Sequence, residues 1–146
     1  MMTAMVLTTP CADTDLLARM DAAVFPEPWS AGDISALLHQ GGCAALVAGD
    51  DAPLGYLIYR VVVDEAEVIR LGVPPVARRR GVGRAMMEGL LEACRGAGVR
   101  RIFLELRASN QAALGLYHAM GFARTGVRRG YYSAPVEDAV LMEYRA

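Results

Sequence analysis

The chain has 146 residues, which is enough for one domain with a full hydrophobic core, and 54% of them are hydrophobic. No apolar run approaches the roughly 18 residues that span a bilayer, and the N-terminus lacks the basic region of a secretory signal. Three scattered cysteines, none in CxxC spacing, argue against a disulfide framework and a zinc site. We therefore expect a cytoplasmic protein with no membrane partner and no metal.

Apolar periodicity and turn residues predict ten elements in chain order. The expected helices span 16–24 and 31–38, then a third that begins at 82 and is ended by the glycines at 96 and 98, and a fourth over 111–120. The expected strands span 44–48, 53–63, 67–73, 101–107, 123–128 and 139–144. Helix caps are expected from Asp13 or Thr14, from a capping box of Ser30 and Asp33, and from Ser109 or Asn110. A turn is expected at 49–52, and an aromatic loop over 130–135 joins the last two strands.

This order predicts a single α+β domain over residues 1–146. Its sheet should be mixed and mostly antiparallel, with about six to seven strands flanked by about four helices. A parallel crossover is expected where the two strand–helix units follow each other. The net charge of −1 hides an acidic half, residues 1–69, and a basic half, residues 70–146. Because strand and helix patterns separate the arginines, a nucleotide cofactor in a cleft fits the basic half better than nucleic acid does.

The most informative stretch is the basic turn between the strand 67–73 and the helix that begins at Val82. It contains four arginines and two glycines: Arg78, Arg79, Arg80, Gly81, Gly83 and Arg84. The helix start directs unpaired N–H groups and its positive dipole end at one spot, and glycine lets a ligand approach the backbone. Arginine adds bidentate donors suited to phosphate. The stretch therefore predicts an anion site, and a pyrophosphate site in particular.

Known phosphate motifs narrow the choice. The P-loop pattern is absent because the chain contains no lysine, and the dinucleotide pattern GxGxxG is absent as well. What is present is Arg78-x-x-Gly81-x-Gly83, which resembles the coenzyme A loop of the Gcn5-related N-acetyltransferase (GNAT) superfamily. On this stretch alone, an arginine-capped start of a surface helix is the alternative.

Further segments resemble one branch of that superfamily, the ribosomal-protein alanine N-acetyltransferases, across about residues 13–142. The matching segments are FPEPWS at 25–30, DEA at 64–66, LELRASN at 104–110 with Ala113, Leu116-Tyr117 and Gly121-Phe122 after it, RRGYY at 128–132, and EDAVLM at 137–142. Departures are small. Arg78 stands where relatives often have Gln, and Pro74-Pro75 replaces a D-P type turn.

The resemblance implies a GNAT-type domain that moves an acetyl group from acetyl-CoA to a protein α-amino group, by direct attack in a ternary complex. The implied acceptor is the N-terminal alanine of a small-subunit ribosomal protein. The implied cofactor-binding residues are Leu71, Gly72, Val73, Arg78, Arg79, Arg80, Gly81, Val82, Gly83, Arg84 and Asn110. Within that set, Gly72 inside a strand independently suggests a bulge or a close backbone approach.

Two residues are candidates for proton transfer. Glu105 is an acid in the middle of an otherwise apolar strand, so it could serve as the base for the amine; its structural alternative is an ion pair with Arg107 or another arginine. Tyr117 could protonate the leaving thiolate, since a phenol is protonated at pH 7. The spacing of Tyr117 favours a core aromatic beside Leu116 and Met120, and only the family pattern favours a role as proton donor.

Trp29, Tyr131 and Tyr132 could line a peptide groove because aromatics supply rigid contact area, with core packing an equal alternative for each. An acetyltransferase for a small amine or for protein lysines is the closest rival function. A non-catalytic acyl-CoA-binding domain is a rival from another class. It would keep residues 78–84 but would need neither Glu105 nor Tyr117.

Overall fold

The computed structural model describes residues 7–49 and 52–146. Its elements are β1 (Leu7–Cys11), α1 (Thr14–Ala22), α2 (Ala31–Leu38), β2 (Cys43–Gly49), β3 (Pro53–Val62), β4 (Glu65–Gly72), a 3-10 turn (Pro75–Ala77), α3 (Val82–Gly96), β5 (Arg101–Arg107), α4 (Gln111–Ala119), β6 (Ala123–Tyr132) and β7 (Glu137–Arg145). The predicted turn at 49–52 includes residues 50 and 51, which lie outside the described residues. No helix in the described part of the chain is long and apolar enough to cross a membrane.

Seven strands form one sheet in the order β1-β2-β3-β4-β5-β7-β6. All neighbouring pairs are antiparallel except β4 and β5, so the predicted mixed α+β fold with one parallel crossover is confirmed. The parallel pairing covers only the first three residues of β4, from Glu65 to Glu67. Beyond Glu67, β4 continues to Gly72 without pairing to β5, which leaves a gap in the sheet at that end.

The helices cover the sheet from both faces and enclose two apolar clusters. On one face, α3 and α4 pack on a large cluster that includes Met86, Leu90, Ile102 and Phe122. On the other face, α1 and α2 cover a smaller cluster around β2 and β3. The residues of α3 that are buried against the sheet are Val82, Met86, Met87, Leu90 and Cys94.

Helix starts follow their predicted caps. The Asp13 side chain accepts a hydrogen bond from the Leu16 N–H in the first turn of α1, and Ser30 and Asp33 form the reciprocal capping box of α2. Asn110, rather than Ser109, caps α4 and accepts the Ala113 N–H at 3.2 Å. The helix ends were less well predicted: α1 ends at Ala22 rather than Val24, and α4 ends at Ala119 rather than Met120.

Two parts of the strand prediction were wrong. No strand was expected at residues 7–11, but β1 pairs along the edge of the sheet with β2. A proline is tolerated there because an edge strand has one unpaired side. The expected aromatic loop is also shorter, because β6 runs on through Tyr131 and Tyr132. A register shift between Arg128 and Tyr132, with Gly130 at φ 59°, interrupts the alternation that would have identified this part as strand.

Candidate active site

A cleft of about 1040 Å³ opens where β4 leaves β5. Its walls come from the end of β4, the start of α3 and one side of α4, and residues 24–26 and 134–135 form part of its edge. All the predicted cofactor-binding residues line it except Arg80: Leu71, Gly72, Val73, Arg78, Arg79, Gly81, Val82, Gly83, Arg84 and Asn110. The structure therefore brings together segments that are up to 39 residues apart in the chain.

The charge of the cleft has one sign. Four arginines line it, Arg78, Arg79, Arg84 and Arg107, and no acidic side chain does among the described residues. Arg78 is held in place by the bond from its Nε to the Val73 carbonyl oxygen at 3.1 Å, and Arg84 Nε lies 3.0 Å from Glu88 Oε1. This donor set suits an elongated anion such as a nucleotide pyrophosphate.

The start of α3 supplies the backbone part of that site. Gly81 is the N-cap residue with φ 75°, and among the described residues no side chain caps the helix, so the first N–H groups of α3 have no side-chain partner there. Nothing lies within 4 Å of the position that a Cβ at Gly81 would take. A phosphate can therefore approach these N–H groups as the sequence pattern predicts.

The strand end at Leu71-Gly72-Val73 forms the opposite wall. A Cβ on Gly72 would stand 2.6 Å from the ring of Tyr56, so the close approach expected from this glycine is to a side chain of the same protein. The bulge lies earlier, where Ile58 pairs with Arg70 but Tyr59 pairs with Val68. Since β5 pairs only with residues 65–67 of β4, the far end of β4 has main-chain groups facing the cleft rather than a neighbouring strand.

Tyr117 packs in the core, as its spacing predicts, and also reaches the cleft. It is 7% exposed, belongs to the large apolar cluster and packs on Phe122 at 5.8 Å between ring centroids, yet it also lines the cleft. Burial raises the pKa of Tyr117 to about 12, so the phenol keeps its proton at neutral pH.

Glu105 does not line the cleft. It projects from β5 on the same face as Arg107, which does line it, and two residues along a strand are about 7 Å apart. Its ion-pair partner is Arg128, with Nη2 3.6 Å from Oε1. The structural alternative, an ion pair with Arg107 or another arginine, is therefore present through Arg128, while Arg107 is paired with Glu137 at 3.3 Å. The Glu105 charge is the main reason that the pKa of Tyr131 is raised.

The three aromatic residues assigned to a peptide groove stack on arginines and do not line the cleft. Trp29 lies 4.2 Å from the guanidinium of Arg70, and Tyr132 lies 4.5 Å from that of Arg107. Tyr131 is 51% exposed and packs edge-on against Tyr132. Of the three, Tyr131 is the exposed one, and it lies close enough to Glu105 for that carboxylate to raise its pKa.

Sequence reasoning missed several residues of the cleft. Val24, Phe25 and Pro26 contribute part of its edge, and Ala134 and Pro135 contribute another part. The FPEPWS segment had been singled out only for its family resemblance, and nothing in its spacing indicates that it folds over the end of β4. In the described residues, no three His, Cys, Asp or Glu side chains lie close enough to hold a metal ion.

Comparison with known proteins identifies the family. The family model "Acetyltransferase (GNAT) family" matches residues 14–122. The [ribosomal protein bS18]-alanine N-acetyltransferase of Salmonella typhimurium is 40% identical over 66% of this chain, and that alignment spans 66% of the relative's own length. The corresponding Escherichia coli protein is 42% identical over 60% of each chain. A putative [ribosomal protein bS18]-alanine N-acetyltransferase of Bacillus subtilis is 32% identical over 89% of this chain and 87% of its own.

Solved structures agree with this assignment. The crystal structure of the ribosomal-protein-S18-alanine N-acetyltransferase from Escherichia coli superposes with a TM-score of 0.87 at 30% identity, over 97% of this chain and 94% of that one. Arabidopsis thaliana NAA60 in complex with acetyl-CoA has the same fold, with a TM-score of 0.83 at 18% identity over 97% and 98%. The chain belongs to the GNAT acetyltransferase family.

Proposed function

We propose that this protein transfers the acetyl group of acetyl-CoA to the α-amino group of a protein, and that the acceptor is the N-terminal alanine of a small-subunit ribosomal protein. The observation that carries the proposal is the cleft, which is lined by four arginines and, within the described ranges, by no acidic residue, and which includes the open start of α3. The names of the Salmonella and Escherichia relatives supply the acceptor.

The charge of the cleft lining suits acetyl-CoA. The N–H groups at the start of α3, together with Arg78, Arg79 and Arg84, would hold the pyrophosphate. Asn110 and the main chain at 71–73 would bond the amide arm, which leads past the Tyr117 hydroxyl. Arg80 does not line the cleft, so we assign it no direct contact. The bound molecule would supply the thioester whose acetyl group is transferred.

We assign the two proton transfers and the stabilisation of the acyl oxygen to residues in and beside the cleft. Glu105 would accept a proton from the acceptor ammonium, directly or through water. The backbone N–H groups at 71–73 would stabilise negative charge on the acyl oxygen. Tyr117, whose pKa is raised to about 12, would donate its proton to the departing sulfur. The C–N bond then forms as the C–S bond breaks.

The pKa values of protein amines favour a chain terminus as the acceptor. With an α-amino pKa near 7.8 and a lysine pKa near 10.4, roughly 14% of the former but about 0.04% of the latter is free amine at pH 7. A site in which one carboxylate, Glu105, is the proposed base therefore favours chain termini over lysine side chains.

Intact-protein mass spectrometry tests this function. Recombinant bS18 bearing a free N-terminal alanine, incubated with the protein and acetyl-CoA, should gain the mass of one acetyl group. The same bS18 with a chemically blocked N-terminus is the control and should gain nothing. Absence of acetylation alongside tight acetyl-CoA binding would favour the non-catalytic binding domain, and brisk turnover of polyamines instead would favour the small-amine alternative.

A further inference from the structure

The buried carboxylate of Asp21 is the centre of a polar cluster that the proposed chemistry does not use. Asp21 lies in the last turn of α1 and is fully buried. Its Oδ1 accepts hydrogen bonds from the Tyr56 hydroxyl and from Arg70 Nε at 2.9 Å. Its Oδ2 accepts from Arg70 Nη2 at 3.0 Å and from the Trp29 backbone N–H at 2.8 Å. Four donors therefore occupy both oxygens.

Residues 24–29, which we call the rim segment, are bonded to Asp21 at both ends. The rim segment contains no helix or strand, and its two prolines have no N–H to donate. The Asp21 carbonyl oxygen accepts the N–H groups of Val24 at 3.0 Å and Phe25 at 2.9 Å, while the carboxylate accepts that of Trp29. Asp21 therefore holds both ends of the rim segment.

Arg70 connects the rim segment to β4. Its guanidinium lies between the rings of Phe25, at 3.8 Å, and Trp29, at 4.2 Å. Arg70 immediately precedes the part of β4 that lines the cleft, and Gly72 in that part packs against the Tyr56 ring. Phe25 also lines the cleft, so the cluster fixes two of its walls relative to each other.

Stability alone does not account for this cluster. Replacing a buried ion pair by apolar residues of similar volume is often neutral or stabilising, because both charges must be removed from water. An Arg–carboxylate fork does, however, define direction and distance more sharply than apolar packing does. A fork that joins a segment without secondary structure to a strand end is suited to setting the width of the cleft edge.

We propose that Asp21 and Arg70 are positioning residues for the acceptor: they hold the rim segment over the end of β4 and so determine how the first residues of the acceptor are bound. This inference rests on the proposed function. The described contacts of the cluster run to residues 24–29 and 70–72 and do not include the Arg78–Arg84 turn. Loss of the cluster should therefore weaken acceptor binding more than acetyl-CoA binding, since the arginines and the start of α3 that would hold the pyrophosphate stay in place.

Asp21→Asn tests the proposal, since it keeps the shape of the side chain but removes the charge that Arg70 requires. Glu143→Gln is the matched control, because Glu143 is also a buried carboxylate with two arginine partners, Arg101 and Arg145, and lies outside the cleft. We expect the KM for a peptide with an N-terminal alanine to rise about 10- to 100-fold in Asp21→Asn, the size of effect that misplaced positioning groups produce. The calorimetric Kd for acetyl-CoA should change by a much smaller factor than the peptide KM, and Glu143→Gln should change neither constant.

Trp29 gives a second readout that needs no turnover, because it is the one tryptophan in the sequence and belongs to the rim segment. Acrylamide quenching of its fluorescence should increase in Asp21→Asn and should match wild type in Glu143→Gln. If Asp21→Asn does not fold, Arg70→Lys replaces it, since lysine keeps the cation but loses the fork and the stacking between two rings.

The outcomes separate the two proposals. An active wild-type protein with an unchanged peptide KM in the folded variant would overturn the positioning role and leave the proposed function standing. An equal loss of affinity for acetyl-CoA and peptide would also overturn it. A wild-type protein that acetylates no peptide would overturn the proposed function itself, even if the quenching experiment shows that Asp21 holds the rim segment.

Discussion

The two ends of α3 offer a controlled test of the phosphate site. Gly81 at its start and Gly98 just after its end have nearly the same backbone conformation, with φ 75° and 72°. Apart from the adjoining residues of the chain, no described residue has an atom within 4 Å of the position that a Cβ would occupy at either glycine. Only Gly81 lines the cleft. Gly81→Ala and Gly98→Ala are therefore the same chemical change in matched surroundings, one at the proposed phosphate site and one far from it.

The two substitutions should cost similar stability but differ in binding. An alanine forced into the left-handed region costs about 1–2 kcal/mol, whichever end of α3 carries it. At Gly81 the added methyl also stands where a phosphate must approach the N–H groups of the first turn. Losing one charge-assisted hydrogen bond of about 1.5–3 kcal/mol weakens binding roughly 10- to 150-fold.

Denaturant unfolding and calorimetric titration with acetyl-CoA measure the two quantities separately. We expect both variants to lose stability to a similar extent, with the Kd for acetyl-CoA raised in Gly81→Ala and unchanged in Gly98→Ala. Equal affinity in the two variants would refute the assignment of the α3 start to the pyrophosphate.

Three further predictions follow from the described contacts. Tyr117→Phe keeps the ring and its packing on Phe122, so kcat should fall about 100-fold with little change in melting temperature; normal turnover would remove the acid role. Glu105→Gln should lower kcat/KM at neutral pH, with partial recovery at high pH where the amine is already deprotonated; a pH-independent defect would argue for a structural role. Burial alone would raise the pKa of Asp21, but its bonds from Arg70, Tyr56 and Trp29 lower it overall. The stabilising effect of the ionised Asp21 is therefore present above the unfolded-state pKa of about 4 and is lost as the pH falls below it. Asp21→Asn should be less stable than wild type at pH 7, and acidification should lower its stability less than it lowers that of wild type. Denaturant titrations at neutral and acidic pH measure both differences.

Local sequence signals predicted the fold well where the chemistry is local. Caps at Asp13, Ser30 and Asn110 and the alternation of β5 are properties of a few neighbouring residues, and the structure has them as expected. β1 was missed because an edge strand of five residues with a proline carries little alternation, and its identity comes from pairing with β2. The end of β6 was missed because its irregular register removes the period-two pattern.

The part of the cleft that comes from one contiguous stretch of sequence was predicted, and the part that depends on distant residues was not. The basic turn is a contiguous motif, so its residues were found from sequence, and all except Arg80 line the cleft. The rim segment and the Asp21–Arg70 pair were not found, because those residues are 49 positions apart and meet only when α1 packs on β3 and β4. An isolated aspartate in a helix pattern gives no sign that it will be buried. The roles of Glu105 and Tyr117 stay predictions.

The central claim is that this protein acetylates a protein N-terminus. The most direct measurement is tandem mass spectrometry of a short synthetic peptide that begins with a free alanine and also contains lysine, after incubation with the protein and acetyl-CoA. We predict that the acetyl group is found on the α-amino nitrogen, and that a peptide with a blocked N-terminus but a free lysine is not modified. Acetyl found mainly on the lysine side chain of either peptide would contradict the account.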